Sequence, residues 1–284
     1  MKLCSFKHAG KSSFGIVKND GVIDLGPRLK NANIHSVRGL LQANKLNSLQ
    51  EIRSQNDTDY SLDDILFEPV IPSPGKVLCV GINYHAHKIE TGNPDYKHPM
   101  FFPRYADSLV GHQQPMIKPP ETSRFDYEGE MAVIIGVGGR RITRDNALSH
   151  VAGYACFNDG SIRDWQRHTT QYMPGKNFVS TGGFGPWMVT TDEIPDPSKL
   201  KLTTRLNQEV VQTTTTDLMI NPIPILIEYI STVFPLHPGD VIVSGTPGGV
   251  GDKREPPLYM CHGDIVEVEI SQIGTLRNTI EDEH

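Results

Sequence analysis

Turn-forming residues interrupt this chain so often that long helices are disfavoured over most of its length. Its 284 residues include 26 glycines and 21 prolines, where average usage would give about 20 and about 14. The apolar runs between them are short, as at residues 77–80, 130–135 and 151–157. Runs of this length are typical of buried strands. The sequence therefore predicts an α+β, strand-rich fold.

Two regions differ in pattern, and we interpret them as two domains. Residues 1–70 predict a small N-terminal α/β domain, because Asn19-Asp20-Gly21 is a hairpin turn between two short strands and residues 36–55 are amphipathic. A Pro-Gly-rich linker at residues 71–75 follows. Residues 71–284 predict the catalytic domain, which contains a hairpin over residues 200–215 and an apolar helix over 222–233.

The charge balance and the hydropathy pattern exclude several classes of partner. The chain has 27 Lys and Arg against 33 Asp and Glu, a net charge of −6, which argues against binding to nucleic acid or to an anionic membrane. No apolar stretch approaches the roughly 20 residues of a membrane span, so we expect a cytoplasmic protein. The cysteines are far apart in the sequence and are predicted to be reduced thiols: Cys4, Cys79, Cys156 and Cys261.

A pair of glutamates begins the most informative apolar run. Glu128 and Glu130 are two residues apart, so in a strand their side chains point to the same face. Two such close carboxylates need a compensating charge, and hard divalent cations such as Mg²⁺ or Ca²⁺ prefer oxygen ligands. Asp159, at the end of another predicted strand, is a candidate third ligand. The alternative is a solvated strand end, with Asp159 as a helix cap.

A histidine and a glutamate follow the run at residues 77–80. His87 and Glu90 are three residues apart and face each other on a helical turn, where the carboxylate can orient the imidazole as a general base. The alternative is an ordinary surface pair. A cupin-type metal site formed by His85, His87 and Glu90 is a weaker alternative, because the spacing differs and the second cupin motif is absent.

Further polar residues could contact an anionic ligand. The glycine-rich segment at 244–251 lacks the Lys-Ser/Thr of a phosphate loop, but its backbone N–H groups and the Thr246 hydroxyl could bind a carboxylate. Arg163, Gln166 and Lys176 supply positive or donor groups after Asp159. Lys176 has no acidic neighbour in sequence, and an isolated lysine of this kind is usually exposed.

Taken together, these segments resemble the fumarylacetoacetate hydrolase superfamily over roughly residues 70–281, most closely its acylpyruvase-like bacterial branch. Six motifs occur in the family's order. They are GxNYxxHxxE at 81–90, YEGE at 127–130, the ND-S-RDWQ pattern at 158–166, GKNF at 175–178, SGTPGGVG at 244–251, and GDxVEVEI with GTLRN at 263–278.

The resemblance implies a mixed β-sandwich roll, a homodimer, and one Mg²⁺ per subunit, with Mn²⁺ or Ca²⁺ as alternatives. It implies that the catalytic dyad lies in a lid segment. Residues 91–105, which are rich in Gly and Pro and include Arg104, are predicted to carry part of the specificity. Fumarylacetoacetase has a fourth carboxylate where this sequence has Asn83 and Tyr84. The roles implied are metal ligands at Glu128, Glu130 and Asp159, catalysis by His87, Glu90 and Lys176, and substrate contacts by Arg163, Gln166, Thr246 and Tyr84.

The function expected from this resemblance is hydrolysis of a C–C bond in a 2,4-dioxo acid, such as an acylpyruvate or a diketo-deoxy acid from aromatic or sugar acid catabolism. His87 and Glu90 would activate water, and Mg²⁺ would stabilise the pyruvate enolate. Lys176 and Gln166 would stabilise the oxyanion. Three other reactions of a 2-oxo acid remain open at the same site: oxaloacetate-type decarboxylation, tautomerisation or isomerisation, and dehydration. A non-catalytic, metal-stabilised scaffold is a second alternative.

Overall fold

The computed structural model describes residues 1–29, 33–55 and 57–284. The strands in these residues are β1 (Lys2–His8), β2 (Lys11–Lys18), β3 (Gly21–Asp24), β4 (Tyr60–Ser61), β5 (Leu66–Phe67), β6 (Val77–Gly81), β7 (Met100–Arg104), β8 (Leu109–Val110), β9 (Met116–Lys118), β10 (Phe125–Asp126), β11 (Gly129–Ile135), β12 (Val151–Asn158), β13 (Ser161–Ile162), β14 (Gly182–Thr190), β15 (Lys201–Leu206), β16 (Glu209–Thr215), β17 (Val241–Val243), β18 (Ile265–Ile270) and β19 (Gly274–Asp282). The α-helices are α1 (Leu25–Leu29), α2 (Val37–Gln42), α3 (Gln50–Arg53), α4 (His85–Thr91), α5 (Arg163–Gln166) and α6 (Ile223–Val233).

The larger sheet runs through most of the molecule in the order β4-β3-β2-β1-β14-β12-β11-β17-β6-β7, with β5 on β1 and β8 on β14. Most neighbours are antiparallel, but β17 pairs with β6 and β14 pairs with β8 in parallel. A second sheet has the order β16-β15-β18-β19-β9, and β10 pairs with β13. These mixed sheets, with short helices around them, confirm the predicted α+β fold class.

Strand β11 lies at the centre because both of its faces are apolar. Ala132 and Ile134 pack in a cluster that also contains Leu3, Phe14 and Leu40 from the N-terminal region. Residues 131, 133 and 135 face the opposite way, into a cluster with side chains of α6, β15 and β18. A strand buried on both faces reads as a continuous apolar run, as residues 131–135 do. The polar residues that begin β11 are therefore anchored by a rigid core.

Several elements lie where the sequence predicts them. The hairpin turn at Asn19–Gly21 joins β2 to β3, the region 36–55 contains α2 and α3, and the apolar helix is α6. The hairpin over residues 200–215 is β15 and β16. The cysteines are free thiols, buried at positions 4, 79 and 156 and exposed at 261. None of the described helices has the length and hydropathy needed to span a bilayer.

The N-terminal region is not separate from the larger sheet. Strand β1 pairs with β14, where Lys2 lies opposite Val189 and Leu3 lies opposite Met188. The Met1 ammonium donates to the Thr190 hydroxyl at 2.5 Å. The division of the chain into domains at residue 70 stays a prediction, and the two regions share one sheet.

Candidate active site

Three carboxylates meet at one end of the central strands. Glu128 precedes β11, Glu130 is its second residue, and Asp159 directly follows β12. The Asp159 N–H donates to the Glu128 carbonyl at 2.8 Å, which holds the two strand ends together. One carboxylate oxygen from each residue lies within 4.8 Å of the others, and all three side chains are buried. The alternative that placed them at a solvated strand end is wrong. Strand β13 follows Asp159, so this residue is not a helix cap either.

Buried cations neutralise part of this carboxylate cluster. Lys176 Nζ donates to Glu128 Oε2 and Asp159 Oδ2, each at 2.7 Å, and to the Asp159 carbonyl at 3.3 Å. Arg104 Nη1 lies 2.5 Å from Asp159 Oδ1, and Arg163 Nη1 lies 2.7 Å from Glu128 Oε1. Burial alone would raise the pKa of Glu128, but Lys176 and Arg163 lower it to about 2. Lys176 is thus buried by its ion pairs, contrary to the exposure expected of an isolated lysine.

Glu130 differs from the other two carboxylates because it has no cationic partner. Its Oε2 accepts a hydrogen bond from the Gly245 N–H at 2.5 Å, and no lysine, arginine or histidine in the described residues forms an ion pair with it. Burial, and then the charges of Asp159 and Glu128, raise the pKa of Glu130 well above its usual range. Three carboxylates that offer only oxygen ligands, one of them without a cationic partner, fit a hard divalent cation such as Mg²⁺, Mn²⁺ or Ca²⁺.

The predicted dyad is formed on α4. His87 Nδ1 lies 2.8 Å from Glu90 Oε1, and Glu90 Oε2 accepts a hydrogen bond from the Gly249 N–H, also at 2.8 Å. His87 is buried, and its neighbour on the helix, His85, is exposed. The helix ends at Gly92, whose left-handed backbone (φ 68°) caps it. The pair is therefore held from two sides and is not an ordinary surface pair.

The glycine-rich segment at 244–251 binds carboxylates, but they are the protein's own. The N–H of Gly245 donates to Glu130, that of Gly249 to Glu90, and that of Gly251 to Asp126 Oδ1 at 2.8 Å. The backbone φ is +100° at Gly245 and +103° at Gly249, a region that favours glycine. One loop thus positions a proposed metal ligand and the acidic member of the dyad.

A cavity of about 250 Å³ opens beside these groups. Val80, Ile82, Phe102 and Tyr172 contribute apolar surface to its wall. The sequence-predicted site residues in its lining are His87, Glu128, Glu130, Arg163, Gln166, Lys176 and Thr246. The cavity therefore brings together the predicted base His87, a candidate cation site and several donors.

Comparison with known proteins agrees with this arrangement. Residues 76–281 match the family model described as fumarylacetoacetate (FAA) hydrolase, C-terminal. The chain belongs to the fumarylacetoacetate hydrolase family. The family identified from the six motifs is thereby confirmed, and the motifs carry the carboxylates, the dyad, the lysine and the glycine-rich loop of the cavity.

Named relatives in this family include oxaloacetate tautomerases. The mitochondrial oxaloacetate tautomerase FAHD2A of Bos taurus is 40% identical over 219 residues, which cover 76% of this chain and 70% of the relative. The oxaloacetate tautomerase YisK of Bacillus subtilis (strain 168) is 41% identical over 226 residues, which cover 78% and 75%. These relatives are named as enzymes, and they act on a 2-oxo acid.

Solved structures of the family have the same fold. The fumarylacetoacetate hydrolase from psychrophilic Exiguobacterium antarcticum superposes with a TM-score of 0.84 at 32% identity, and the match covers 100% of both chains. The maleylpyruvate hydrolase from Sphingobium sp. SYK-6, in complex with manganese(II) ion and pyruvate, superposes with a TM-score of 0.82 at 26% identity, again over 100% of both chains. A solved protein with this fold thus holds manganese(II) ion together with pyruvate.

Three of the residues assigned from the family pattern are placed differently from the others. Tyr84 is outside the cavity lining: its ring is buried in the apolar cluster that faces α6. Thr246 lines the cavity, but its hydroxyl already donates to the Gly129 carbonyl at 3.1 Å and accepts from Gln212 Nε2 at 2.9 Å. Arg104, expected in a specificity segment, binds Asp159 and does not line the cavity.

Sequence reasoning missed Asp126, a fully buried carboxylate that supports the site. Asp126 Oδ2 lies 2.8 Å from Arg163 Nε, and its Oδ1 accepts from the Gly251 N–H. Arg163 Nη1 in turn donates to Gln166 Oε1 at 2.9 Å. Asp126 therefore connects the glycine-rich loop to two residues of the cavity wall. The available signal is its position two residues before Glu128, in the same alternating pattern.

Proposed function

We propose that this family member is an enzyme that interconverts the keto and enol forms of oxaloacetate or a closely related 2-oxo acid, with a divalent cation held by Glu128, Glu130 and Asp159. The observation that carries the proposal is the place of His87, whose imidazole is fixed by Glu90 in the wall of the same cavity as Glu128 and Glu130. The relatives named as oxaloacetate tautomerases, at 40% and 41% identity, support it.

The dyad has the geometry that proton transfer requires. Because Glu90 accepts at His87 Nδ1, the imidazole proton is assigned to Nδ1, which leaves the Nε2 lone pair free to take a proton from the substrate. In the keto form, the hydrogen at C3 is acidic because the resulting charge spreads onto the C2 oxygen. His87 takes this proton from C3 and returns it to the C2 oxygen, which gives the enol. The reverse transfers give the keto form, and nothing is consumed.

The charges around the cavity favour the enolate between these two transfers. A bound divalent cation supplies positive charge that stabilises an enolate oxygen. Lys176 and Arg163 add buried positive charge through their contacts with Glu128. Lys176 already makes three hydrogen bonds, the full number for an ammonium group, so it acts here by holding the carboxylates. The Gln166 side-chain NH₂ has no protein partner among the described residues and is the donor left for the substrate.

Substitution of His87 tests the role of the dyad. We expect His87→Ala to lower the rate of ketonisation of enol-oxaloacetate about 100-fold or more, because general acid–base catalysis contributes about 10²–10⁴-fold. Affinity for Mg²⁺, measured by titration calorimetry, should change much less, because no hydrogen bond or ion pair in the described residues joins His87 to Glu128, Glu130 or Asp159. The keto product can be followed by its reduction with malate dehydrogenase in excess.

His85→Ala is the matched control, because it removes an exposed histidine two residues away on the same helix. This variant should retain the wild-type rate. Equal loss of activity in both variants would indicate damage to α4, and a near wild-type rate in His87→Ala would show that the base is misassigned.

A second candidate reaction is cleavage of the C3–C4 bond of a 2,4-dioxo acid, favoured by the neighbour solved as a maleylpyruvate hydrolase with pyruvate bound. In this case His87 takes a proton from water as the hydroxyl adds to C4. The C3–C4 bond then breaks, its electron pair becomes the pyruvate enolate, and His87 returns the proton to C3. The products are pyruvate and a carboxylic acid, which then ionises.

The candidate reactions give different products from two substrates. Tautomerisation of oxaloacetate forms no pyruvate, decarboxylation releases CO₂ with pyruvate, and hydrolysis releases pyruvate from acetylpyruvate. Lactate dehydrogenase detects pyruvate in both assays, and EDTA tests the requirement for a cation. If keto-oxaloacetate, CO₂ and pyruvate all form no faster than without the protein when cation is present, the non-catalytic scaffold would be favoured.

The native cation is proposed to be Mg²⁺, with Mn²⁺ or Ca²⁺ as substitutes, because the carboxylate cluster offers only oxygen ligands. The homodimer and the cytoplasmic location stay predictions.

A further inference from the structure

The outer part of the cavity is lined by positive side chains, whereas its inner part holds the carboxylates. Arg167 and Lys253 are both exposed and both line the cavity. Arg167 directly follows Gln166 in the chain, and Lys253 directly follows Asp252. Both of these preceding residues contact side chains of the buried site. Gln166 contacts Arg163, and the Asp252 N–H donates to Asp126 at 3.0 Å. Arg167 and Lys253 are therefore tied to the buried site through the residues that precede them in the chain.

The rim carries more positive charge than its single carboxylate can balance. Asp252, whose side chain is 2% exposed, accepts from Arg124 Nη2 at 2.6 Å and from the Tyr259 hydroxyl at 2.8 Å, and its other oxygen pairs with Arg167 Nη2. One carboxylate thus faces two guanidinium groups. Lys253 has no acidic partner among the described residues. This local excess of positive charge occurs in a chain whose net charge is −6.

Arg167 retains the capacity to bind another anion. A guanidinium group has five N–H donors, and the contact with Asp252 uses one of its terminal nitrogens. The pair therefore holds the Arg167 side chain at the cavity rim, while other N–H groups stay available for a ligand carboxylate.

We propose that Arg167 and Lys253 form a subsite for the distal carboxylate of a dicarboxylic 2-oxo acid. This inference rests on the proposed function, in which the 2-oxo-acid end of the substrate lies at the inner carboxylates and His87. A short chain bound in that orientation directs its far end to the rim. Two cations at the rim select a second carboxylate over an uncharged tail, so the site prefers oxaloacetate-like acids to acylpyruvates with neutral tails.

Two unreactive ligands separate binding at the rim from binding at the inner site. N-oxalylglycine and N-ethyloxamate share the oxamate end and differ by a carboxylate in place of a methyl group. Titration calorimetry with Mg²⁺ should show that the wild type binds N-oxalylglycine about tenfold more tightly or better, because charge-assisted hydrogen bonds contribute at least this factor. The preference should shrink as ionic strength rises, because both cations are exposed.

The double variant Arg167→Gln with Lys253→Gln should lose this preference while binding N-ethyloxamate as the wild type does. Arg140→Gln is the matched control, since it removes an exposed positive charge outside the cavity and should keep the preference. Compared with Arg167→Gln, Arg167→Lys keeps a positive charge at the rim and should retain part of the preference for N-oxalylglycine. In turnover, the double variant should raise the KM for oxaloacetate about tenfold and leave kcat within about twofold.

The subsite would be overturned if the double variant kept the preference for N-oxalylglycine, or if it bound both ligands more weakly by the same factor. Either result would leave the proposed function standing. Failure of the wild type to bind either ligand in the presence of Mg²⁺ would overturn the proposed function, and the subsite with it.

Discussion

Glu130 is the residue at which the charge balance of the site is incomplete. Glu128 and Asp159 share Lys176, and each has an arginine besides, but Glu130 has only the Gly245 N–H. A buried carboxylate without a cationic partner is unfavourable unless a bound cation compensates it. Its contribution should therefore appear in cation binding and not in the stability of the cation-free protein.

We expect Glu130→Gln to weaken binding of Mg²⁺ about 100-fold or more, because it removes one of the three proposed anionic ligands. The amide oxygen still accepts from Gly245, so the thermal midpoint in EDTA should stay close to that of the wild type. Calorimetry and thermal unfolding measure the two effects. Glu121→Gln, at an exposed carboxylate, is the control and should change neither. Unchanged Mg²⁺ affinity in Glu130→Gln would remove this residue from the cation site.

The sequence predicted the geometry of site residues whose partners are near in the chain. It was less informative for site residues whose partners are distant. The spacing of Glu128 and Glu130, and that of His87 and Glu90, predicts local geometry directly. The burial of Lys176 depends on Glu128 and Asp159, which are 48 and 17 residues away. Arg104 likewise depends on Asp159, 55 residues away. Pairings over such distances leave no periodic signal in a single sequence.

At the scale of elements, the loop at 244–251 organises the site more than any strand does. Its N–H groups bind Glu130, Glu90 and Asp126, which lie on three different elements of the fold. The sequence predicted a carboxylate-binding turn, but it could not show that the carboxylates belong to the protein. Displacement of a single N–H of this loop should therefore disturb only the carboxylate that this N–H binds.

Gly249→Ala should uncouple the loop from the dyad. A Cβ at this position would overlap the Val211 carbonyl oxygen, and the φ of +103° is unfavourable for alanine. We expect the shifted N–H to release Glu90 and to lower kcat about tenfold or more, while Mg²⁺ affinity changes little.

Gly263→Ala is the matched control for Gly249→Ala. Gly263 also has a positive φ (+87°), but its Cβ would meet nothing within 4 Å. Both variants should lose about 1 kcal/mol of unfolding free energy from the backbone alone. If steady-state kinetics and denaturant unfolding give the same values for the two variants, the link between the loop and Glu90 has no role in turnover.

At the scale of the whole molecule, the pairing of β1 with β14 determines how the N-terminal region is attached. Neither strand was predicted from the sequence. Strand β14 begins Gly-Gly-Phe-Gly-Pro, a composition that normally indicates a turn, and its neighbours β1 and β12 come from distant parts of the chain. Local pattern identified the central strands because their apolar runs are continuous, but the order of strands in the sheet is set by non-local packing.

His112 lies between the N-terminal region and β19, and it should make the free energy of unfolding depend on pH. Its Nδ1 accepts a hydrogen bond from the Arg277 N–H at 3.1 Å, and its ring packs edge-on against Phe67, with 5.0 Å between centroids. Protonation at Nδ1 would break the hydrogen bond. Burial, and then the charge of Arg277, lower the pKa of His112 to about 4, against about 6.5 in the unfolded chain. Between these values the unfolded chain binds the extra proton, so stability is retained above pH 6.5 and is lost as pH falls toward 4.

His112→Gln keeps an acceptor for the Arg277 N–H and does not titrate, so it should weaken this pH dependence. Two pKa values of about 4 and about 6.5 correspond to a loss of about 2 kcal/mol of unfolding free energy between pH 7 and pH 5 in the wild type. Between pH 7 and pH 5, the unfolding free energy of His112→Gln should therefore fall by about 2 kcal/mol less than that of the wild type. Urea unfolding at both pH values measures this difference. His85→Gln, at an exposed histidine, should behave as the wild type does. An identical loss in the wild type and in His112→Gln would mean that protonation of His112 does not destabilise the contact between the N-terminal region and β19.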